Sequence, residues 1–302
     1  MPAGELTEVR VEDEARPVTP SPGLPGGDDE DAHGPDASRG ITVVVATRDR
    51  PQLLASALDA LSLALRPQDR LLVVDSASAS DGTRLVCLDH GVELLRLDQA
   101  GTSRARNAGV SASSTELIAF TDDDCLPQPG WAAALEAAFT DPAVGVVTGR
   151  VLPDREVPAP VSVEASTERR RFTEPVGHGA NCCLRRTALL AVGGFDEQLG
   201  PGAPGRAGED ADLFRRVLAA GWQGAYEPDA VVLHRQWRGR TASVRRSFAY
   251  GVGQASAGAG FRQAVWVDAL APALRDARAG YVTGALAGLT RAAGAMRGLA
   301  RR

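Results

Sequence analysis

The chain has 302 residues, 44% of them hydrophobic and 24% charged, with a formal net charge of −5. That is apolar material for one large domain or two modest ones, and it excludes a wholly disordered chain and a bulk nucleic-acid binder. All 33 basic residues are Arg, so chemistry that needs a lysine amine is excluded: Schiff-base catalysis, the phosphate-gripping Lys of a P-loop and the strand Lys of a protein kinase.

Residues 1–39 carry ten carboxylates against three Arg, net −7, with six Pro and no periodic apolar pattern. This is the composition of a disordered acidic tail, and its start lacks the apolar core of a signal peptide. From residue 40 to 250 a globular domain is expected. Ile41 to Ala46 reads as a buried strand by its β-branched content, Pro51 to Leu65 as a helix with Pro in its first turn, and Leu71 to Val74 as the next strand. Val92 to Leu97 and Leu117 to Phe120 continue the series, with Arg104 to Ala112 as a helix between them. Strand and helix in alternation predict an α/β fold, a mostly parallel sheet with helices on both faces. Ligands of such sheets bind at the carboxyl ends of the strands.

Three acidic sequences follow those strands: Thr47-Arg48-Asp49-Arg50-Pro51, Asp75-Ser76 running on to Asp81-Gly82, and Thr121-Asp122-Asp123-Asp124-Cys125. Each has a plain alternative, since Asp49 could cap the helix after it, Asp81-Gly82 is a turn dipeptide, and acidic runs are usually solvated. Three at one edge of one sheet point instead to a site. The carboxylates of Asp122-Asp123-Asp124 repel one another unless a cation neutralises them. Oxygen ligands suit Mg²⁺ or Mn²⁺, and a metal-bridged diphosphate is the matching guest.

These sequences, with Ala105-Arg106-Asn107-x-Gly109, Gly193-Gly194-Phe195-Asp196-Glu197 and Gly208-Glu209-Asp210, stand in an order that resembles the family-2 inverting glycosyltransferases of GT-A fold, over about residues 41–250. The resemblance implies a nucleotide-binding, Rossmann-like sheet and a nucleotide-sugar donor. It implies that Thr47, Arg48, Asp49 and Asp75 hold the nucleoside, that Asp122 and Asp123 contact the donor, and that Asp122 and Asp124 carry Mn²⁺ or Mg²⁺ with the diphosphate. It makes Asp210 the general base, with Glu209 orienting it or touching the acceptor. The family's usual Asp-Asp after the second strand reads Asp75-Ser76 here, which leaves Asp75 as the contact to nucleobase or ribose. His234, after the strand Ala230 to Leu233, matches a position where many members place a His on the metal; a structural His is the alternative. Arg104 and Arg106 open a helix and either reinforce the diphosphate site or lie on an exposed turn.

Ala211 to Leu218 has an apolar helical face, and the Gly- and Pro-rich loop before it, from Pro201 to Gly208, is of the kind that closes over substrates. Gly177 to Asn181 and Gly193 to Glu197 are expected on the acceptor side. The four Cys show no metal or redox spacing and read as buried thiols of a reduced compartment. His234-Arg235-Gln236-Trp237-Arg238 lacks the spacing of the processive polysaccharide synthases, so addition of one sugar is expected.

Residues 235–302 carry twelve Arg against two Asp, net +10. The segment 251–302 is expected to be helical, either packing on the body or making peripheral contact with an anionic membrane. The expected setting is cytoplasmic, including the inner face of the plasma membrane. The expected acceptor is a glycan, a lipid-linked molecule or a small molecule; nucleic acid is not an expected partner. The competing reading is a catalytically inactive nucleotide-sugar-binding partner or regulatory protein, which has little use for a base placed far from the metal site.

Overall fold

The computed structural model describes residues 9–10, 40–155, 164–235, 289–293 and 295–296. The expected acidic tail, apart from residues 9–10, and most of the expected C-terminal helices lie outside the described residues, as does the Gln236-Trp237-Arg238 stretch.

The expected α/β sheet is present. β1 (Val9–Arg10) pairs outside β4 (Glu93–Leu97), and β4, β3 (Arg70–Ser76), β2 (Ile41–Thr47) and β5 (Leu117–Asp122) follow in that order, all parallel. Beyond β5 the sheet becomes mixed. β9 (Asn181–Arg185) runs antiparallel to β5 and to β7 (Val144–Pro153), while β7 is parallel to β10 (Gln223–His234). Short β6 (Cys125–Pro127) and β8 (Arg170–Phe172) run antiparallel to β10. The parallel half owes its direction to α1 (Pro51–Ala64), α2 (Gly82–His90) and α3 (Thr102–Ser111), each of which returns the chain between successive strands. No described helix separates β8 from β9, which enters antiparallel.

The period-2 alternation of β2 sorts the helices onto two faces. Val43 and Val45 pack with Leu54, Leu58 and Leu61 of α1, Cys87 of α2, and Trp131 and Leu135 of α4 (Trp131–Ala137). Val44 faces the other way, onto Ala105 and Val110 of α3, Ala188 and Leu189 of α5 (Arg186–Ala191), and Leu213, Phe214 and Val217 of α6 (Glu209–Ala219). Each fully buried Leu of this kind contributes about 1.5–3 kcal/mol. α3 lies so close to β2 that a Cβ on Gly109 would overlap the Val44 side chain, which accounts for the glycine there.

The structure removes two of the plain alternatives. Asp49 does not cap α1: the N-cap residue is Arg50, without a side-chain cap, and Pro51 opens the helix. Asp81-Gly82 is a helix start rather than a turn. α2 was invisible to pattern reading because it buries only Thr83 and Cys87. All four Cys are buried and free. Among the described residues no helix is long and apolar enough to cross a membrane.

Strand register sets the site. Ala46 stands opposite Asp122 and Thr47 opposite Asp75, so three strands end level with one another. On the far side His234 of β10 pairs with Cys125 of β6, which places the histidine beside Asp124.

Candidate active site

A cavity of about 160 Å³ opens at these strand ends. Its lining includes Ala46, Arg50, Thr102, Arg106, Asp122, Asp123, Asp124, His178, Gly179, Arg206, Glu209, Asp210 and His234. Residues from β2, α3, the β5–β6 turn, the loops before β9 and α6, and the end of β10 thus meet in one space.

The three aspartates divide their work. Asp123 turns inward: Thr47 Oγ1 donates to its Oδ2 at 2.7 Å, and an Arg50 guanidinium N–H donates to its Oδ1 at 3.0 Å. Burial pushes its carboxyl up to about 6, against the pull of Arg50. Asp123 and Thr47 therefore lock the β2 and β5 strand ends together. Asp122 Oδ1 accepts from Arg106 at 2.8 Å. Asp124 is buried, with its Oδ1 3.7 Å from His234 Nε2. Asp124, Cys125 and His234 place one ligand atom each within 4.8 Å of one another. Adjacent ligands of an octahedral ion with ~2.1 Å bonds stand about 3 Å apart, so the 3.7 Å pair would have to draw together on Mn²⁺ or Mg²⁺, and its carboxylate oxygen and ring nitrogen are donors that Mn²⁺ accepts. Cys125 does not suit such an ion, since burial and then the Asp122 and Asp124 charges push its thiol well up, and a neutral thiol is a poor ligand for a hard cation.

Arg106 is buried, which removes the exposed-turn alternative for it. Its guanidinium spans from Asp122 to Glu209 Oε1, at 2.8 and 3.3 Å, and its carbon lies 5.3 Å from the Phe195 ring centroid. Phe195 meets Phe120 edge to face at 5.2 Å. Asn107 holds the Phe195 backbone from both sides, its Oδ1 accepting from the N–H at 2.8 Å and its Nδ2 donating to the carbonyl at 2.9 Å. The Gly193 to Glu197 motif is therefore a brace behind Arg106, and it does not line the cavity. Arg104 pairs with Glu197 at 3.2 Å, outside the cavity.

α6 begins at the cavity with its two acids. Glu209 is buried against Arg106, and burial, then the Asp210 charge, push its carboxyl up to about 7, while Arg106 pulls the other way. Asp210 is half-buried: Gly179 N–H donates to Oδ2 at 3.0 Å and Ala211 N–H to Oδ1 at 2.8 Å. Both bonds fix its rotamer, and each oxygen keeps a second lone pair.

Arg48, Asp49 and Asp75 do not line this cavity but form an adjoining cluster. Asp49 adopts φ 53°; its N–H donates to Ser78 Oγ at 2.8 Å and its Oδ1 accepts from Ala79 N–H at 2.7 Å, stitching the β2 loop to the β3 loop. Exposed Arg48 pairs with Asp49 at 3.3 Å. Asp75 is fully buried, its Oδ1 accepting from Ser78 N–H at 3.0 Å and its Oδ2 lying 3.4 Å from Arg96. Asn181, expected on the acceptor side, is buried instead, bonded to Trp131 and to the Arg150 and Ala230 carbonyls. Pattern reading gave no role to Arg50 or Arg206. The signal for Arg50 was a buried triple-Asp run in need of a cation; the signal for Arg206 was an Arg set among glycines.

Residues 42–189 match the family model described as glycosyl transferase family 2. The pre-mycofactocin glycosyltransferase of Mycobacterium tuberculosis is 34% identical over 225 residues, 68% of this chain and 46% of that protein. The chain thus spans about half the length of that relative. An uncharacterized glycosyltransferase of Mycobacterium bovis is 30% identical over 194 residues, 62% of this chain and 83% of that protein. Among solved structures, the mannosyltransferase PcManGT of Pyrobaculum calidifontis, in complex with GDP-Man and Mn²⁺, superposes with a TM-score of 0.55 at 19% identity, over 89% of this chain and 78% of that one. By its ordered motifs, its sheet and these relatives, the chain belongs to glycosyl transferase family 2 and has the GT-A fold.

Proposed function

We propose that this chain moves one sugar from a nucleotide-diphosphate sugar to an acceptor hydroxyl, with inversion, using Mn²⁺ or Mg²⁺. The observation that carries the reading is a single cavity lined on one part by Asp124 and His234 and on another by Glu209 and Asp210. An inactive binding protein would need no second acidic pair there.

In this reading the nucleoside lies along the cluster of Arg48, Asp49 and Asp75, and the diphosphate enters the cavity beside Asp122. Asp124 and His234 would hold a divalent cation, which would supply charge neutralisation for the departing diphosphate. Asp210 takes the acceptor proton while the acceptor oxygen bonds to the anomeric carbon. The bond from that carbon to the diphosphate oxygen breaks as it does so, and the diphosphate leaves with the electron pair. Arg106 balances the charge of Asp122 and Glu209 and fixes both. We assign the catalytic domain to residues 40–250, and the net charge of +10 carried by residues 235–302 suits the C-terminal segment to an anionic surface or to the acidic domain.

The test is a panel of UDP-, GDP- and dTDP-sugars incubated with the protein and Mn²⁺, reading slow donor hydrolysis. Cleavage of one donor class that stops on chelation supports the reading. No Mn²⁺-dependent binding or cleavage of any donor overturns it.

A further inference from the structure

The loop from Leu199 into α6 has four residues at positive φ: Gly200 at 93°, Gly202 at 91°, Arg206 at 64° and Gly208 at 89°. Three are glycines, which enter that region without a Cβ penalty; the fourth is an arginine, which does not. The conformation is built in. Arg206 N–H donates to Ala203 O at 3.1 Å, and the flanking Gly205 and Ala207 N–H groups donate to Gln198 O and Gly205 O, each at 2.8 Å. Strain of this kind, held in place at a cavity, points to a function for the side chain that sits there.

The side chain of Arg206 is exposed and lines the cavity, and it has no hydrogen-bond or ion-pair partner among the described residues. The other two cavity arginines are committed, Arg50 to Asp123 and Arg106 to Asp122 and Glu209. The guanidinium of Arg206 thus brings five unspent donors to a site whose expected guest is an anion. Its loop is moored to the donor half of the sheet. Thr102 N–H donates to Pro201 O at 3.1 Å, Ser103 Oγ donates to Leu199 O at 2.8 Å, and Gly101 N–H donates to Ser76 Oγ, at the end of β3, at 2.9 Å.

We infer that Arg206 grips the diphosphate of the donor through its β-phosphate, from the loop that lines the cavity, as a second cationic contact to the leaving group. The inference rests on the glycosyltransfer reading above. Charge-assisted bonds from an Arg fork are made to phosphate oxygens, and a nucleoside monophosphate lacks the β-phosphate, whose oxygen is the one that leaves the sugar, so monophosphates should feel the residue less.

The test titrates the full chain with UDP, GDP, dTDP and ADP and the matching monophosphates, all with Mn²⁺, and repeats the tightest pair on three variants. Arg206→Ala should weaken the diphosphate by about tenfold or more and the monophosphate by less than about threefold. Arg206→Lys should fall between. Arg206→Gly should bind like Arg206→Ala yet melt no lower than the parent, because glycine accepts the left-handed backbone. Diphosphate affinity within twofold of the parent in Arg206→Ala overturns the inference. A raised acceptor KM with that affinity intact assigns the arginine to an anionic acceptor instead. A parent chain that binds none of the four diphosphates overturns the glycosyltransfer reading itself, an outcome distinct from a parent that binds and a variant that binds equally.

Discussion

Glu209 and Asp210 are neighbours in sequence and differ in what surrounds them. Glu209 is buried against Arg106, whereas Asp210 faces the cavity with its rotamer fixed by two backbone N–H groups. Asp210→Asn keeps the shape and removes the basicity, so turnover should fall by roughly 10²–10⁴-fold with donor affinity nearly unchanged. Glu209→Gln should cost less turnover. The opposite pattern exchanges their roles, and loss of donor affinity in both places the pair in the binding site. Stability gives an independent reading of Glu209. Its carboxyl rises from an ordinary 4.5 to about 7 on folding, so between those values the folded chain holds the extra proton. The stabilisation is complete below pH 4.5 and is lost as pH rises through 7. Glu209→Gln removes this dependence, and in metal-free buffer its melting temperature relative to the parent should be higher at pH 8 than at pH 5. An equal offset at both pH values contradicts the raised carboxyl. At the metal corner, Asp124→Ala should abolish Mn²⁺-dependent binding of nucleoside diphosphate; unchanged binding, or full turnover of the parent in excess chelator, removes the metal from the mechanism.

At the scale of elements, the approach of His234 to Asp124 depends on β10 reaching β6, and a buried asparagine braces that approach. Asn181 on β9 donates to Arg150 O of β7 at 3.0 Å and to Ala230 O of β10 at 2.8 Å, and accepts from Trp131 Nε1 of α4 at 2.8 Å. It does so where the β7–β10 register shifts between Glu227 and Val231, upstream of His234. Asn181→Leu would orphan three buried groups and should cost about 3 kcal/mol, read as a lower urea midpoint, with weaker Mn²⁺ binding. An unchanged midpoint would remove Asn181 as the brace. Strands β2 to β5, with α1 and α3, were legible because each carries its own apolar pattern over five or more residues, as in Ile41–Thr47 or Pro51–Ala64, whereas α2 and two-residue β1 carry none. β6 and β8 were not, since each has three residues and exists only through pairing with distant β10. At the site, the motifs singled out Asp122, Asp124, Arg106, Glu209, Asp210 and His234, and these six line one cavity, while Thr47, Arg48, Asp49 and Asp75 lie outside it. The inward turn of Asp123 and the left-handed Arg206 depend on tertiary contacts that no local pattern encodes.

Across the whole molecule, charge is segregated: residues 1–39 carry net −7 and residues 235–302 net +10. From the first of these the structure describes only β1, whose two residues pair with Leu95 and Arg96 on the open edge of β4. A parallel strand that short adds one or two backbone hydrogen bonds, each worth about 1 kcal/mol net. Among the described residues every member of both hydrophobic clusters lies beyond residue 40, so its removal should leave them intact. The β4 edge it uncovers is guarded by charge, with Glu93 paired to Arg70 at 2.6 Å and Arg96 lying 3.4 Å from Asp75, so the bared strand is a poor template for another chain. Deleting residues 1–39 is therefore expected to lower the melting temperature by less than about 4 °C and to leave turnover unchanged, measured by calorimetry and donor cleavage on the same preparation. A larger fall would mean that the acidic segment buries surface on the domain, and lost turnover at unchanged melting temperature would mean that it reaches the cavity.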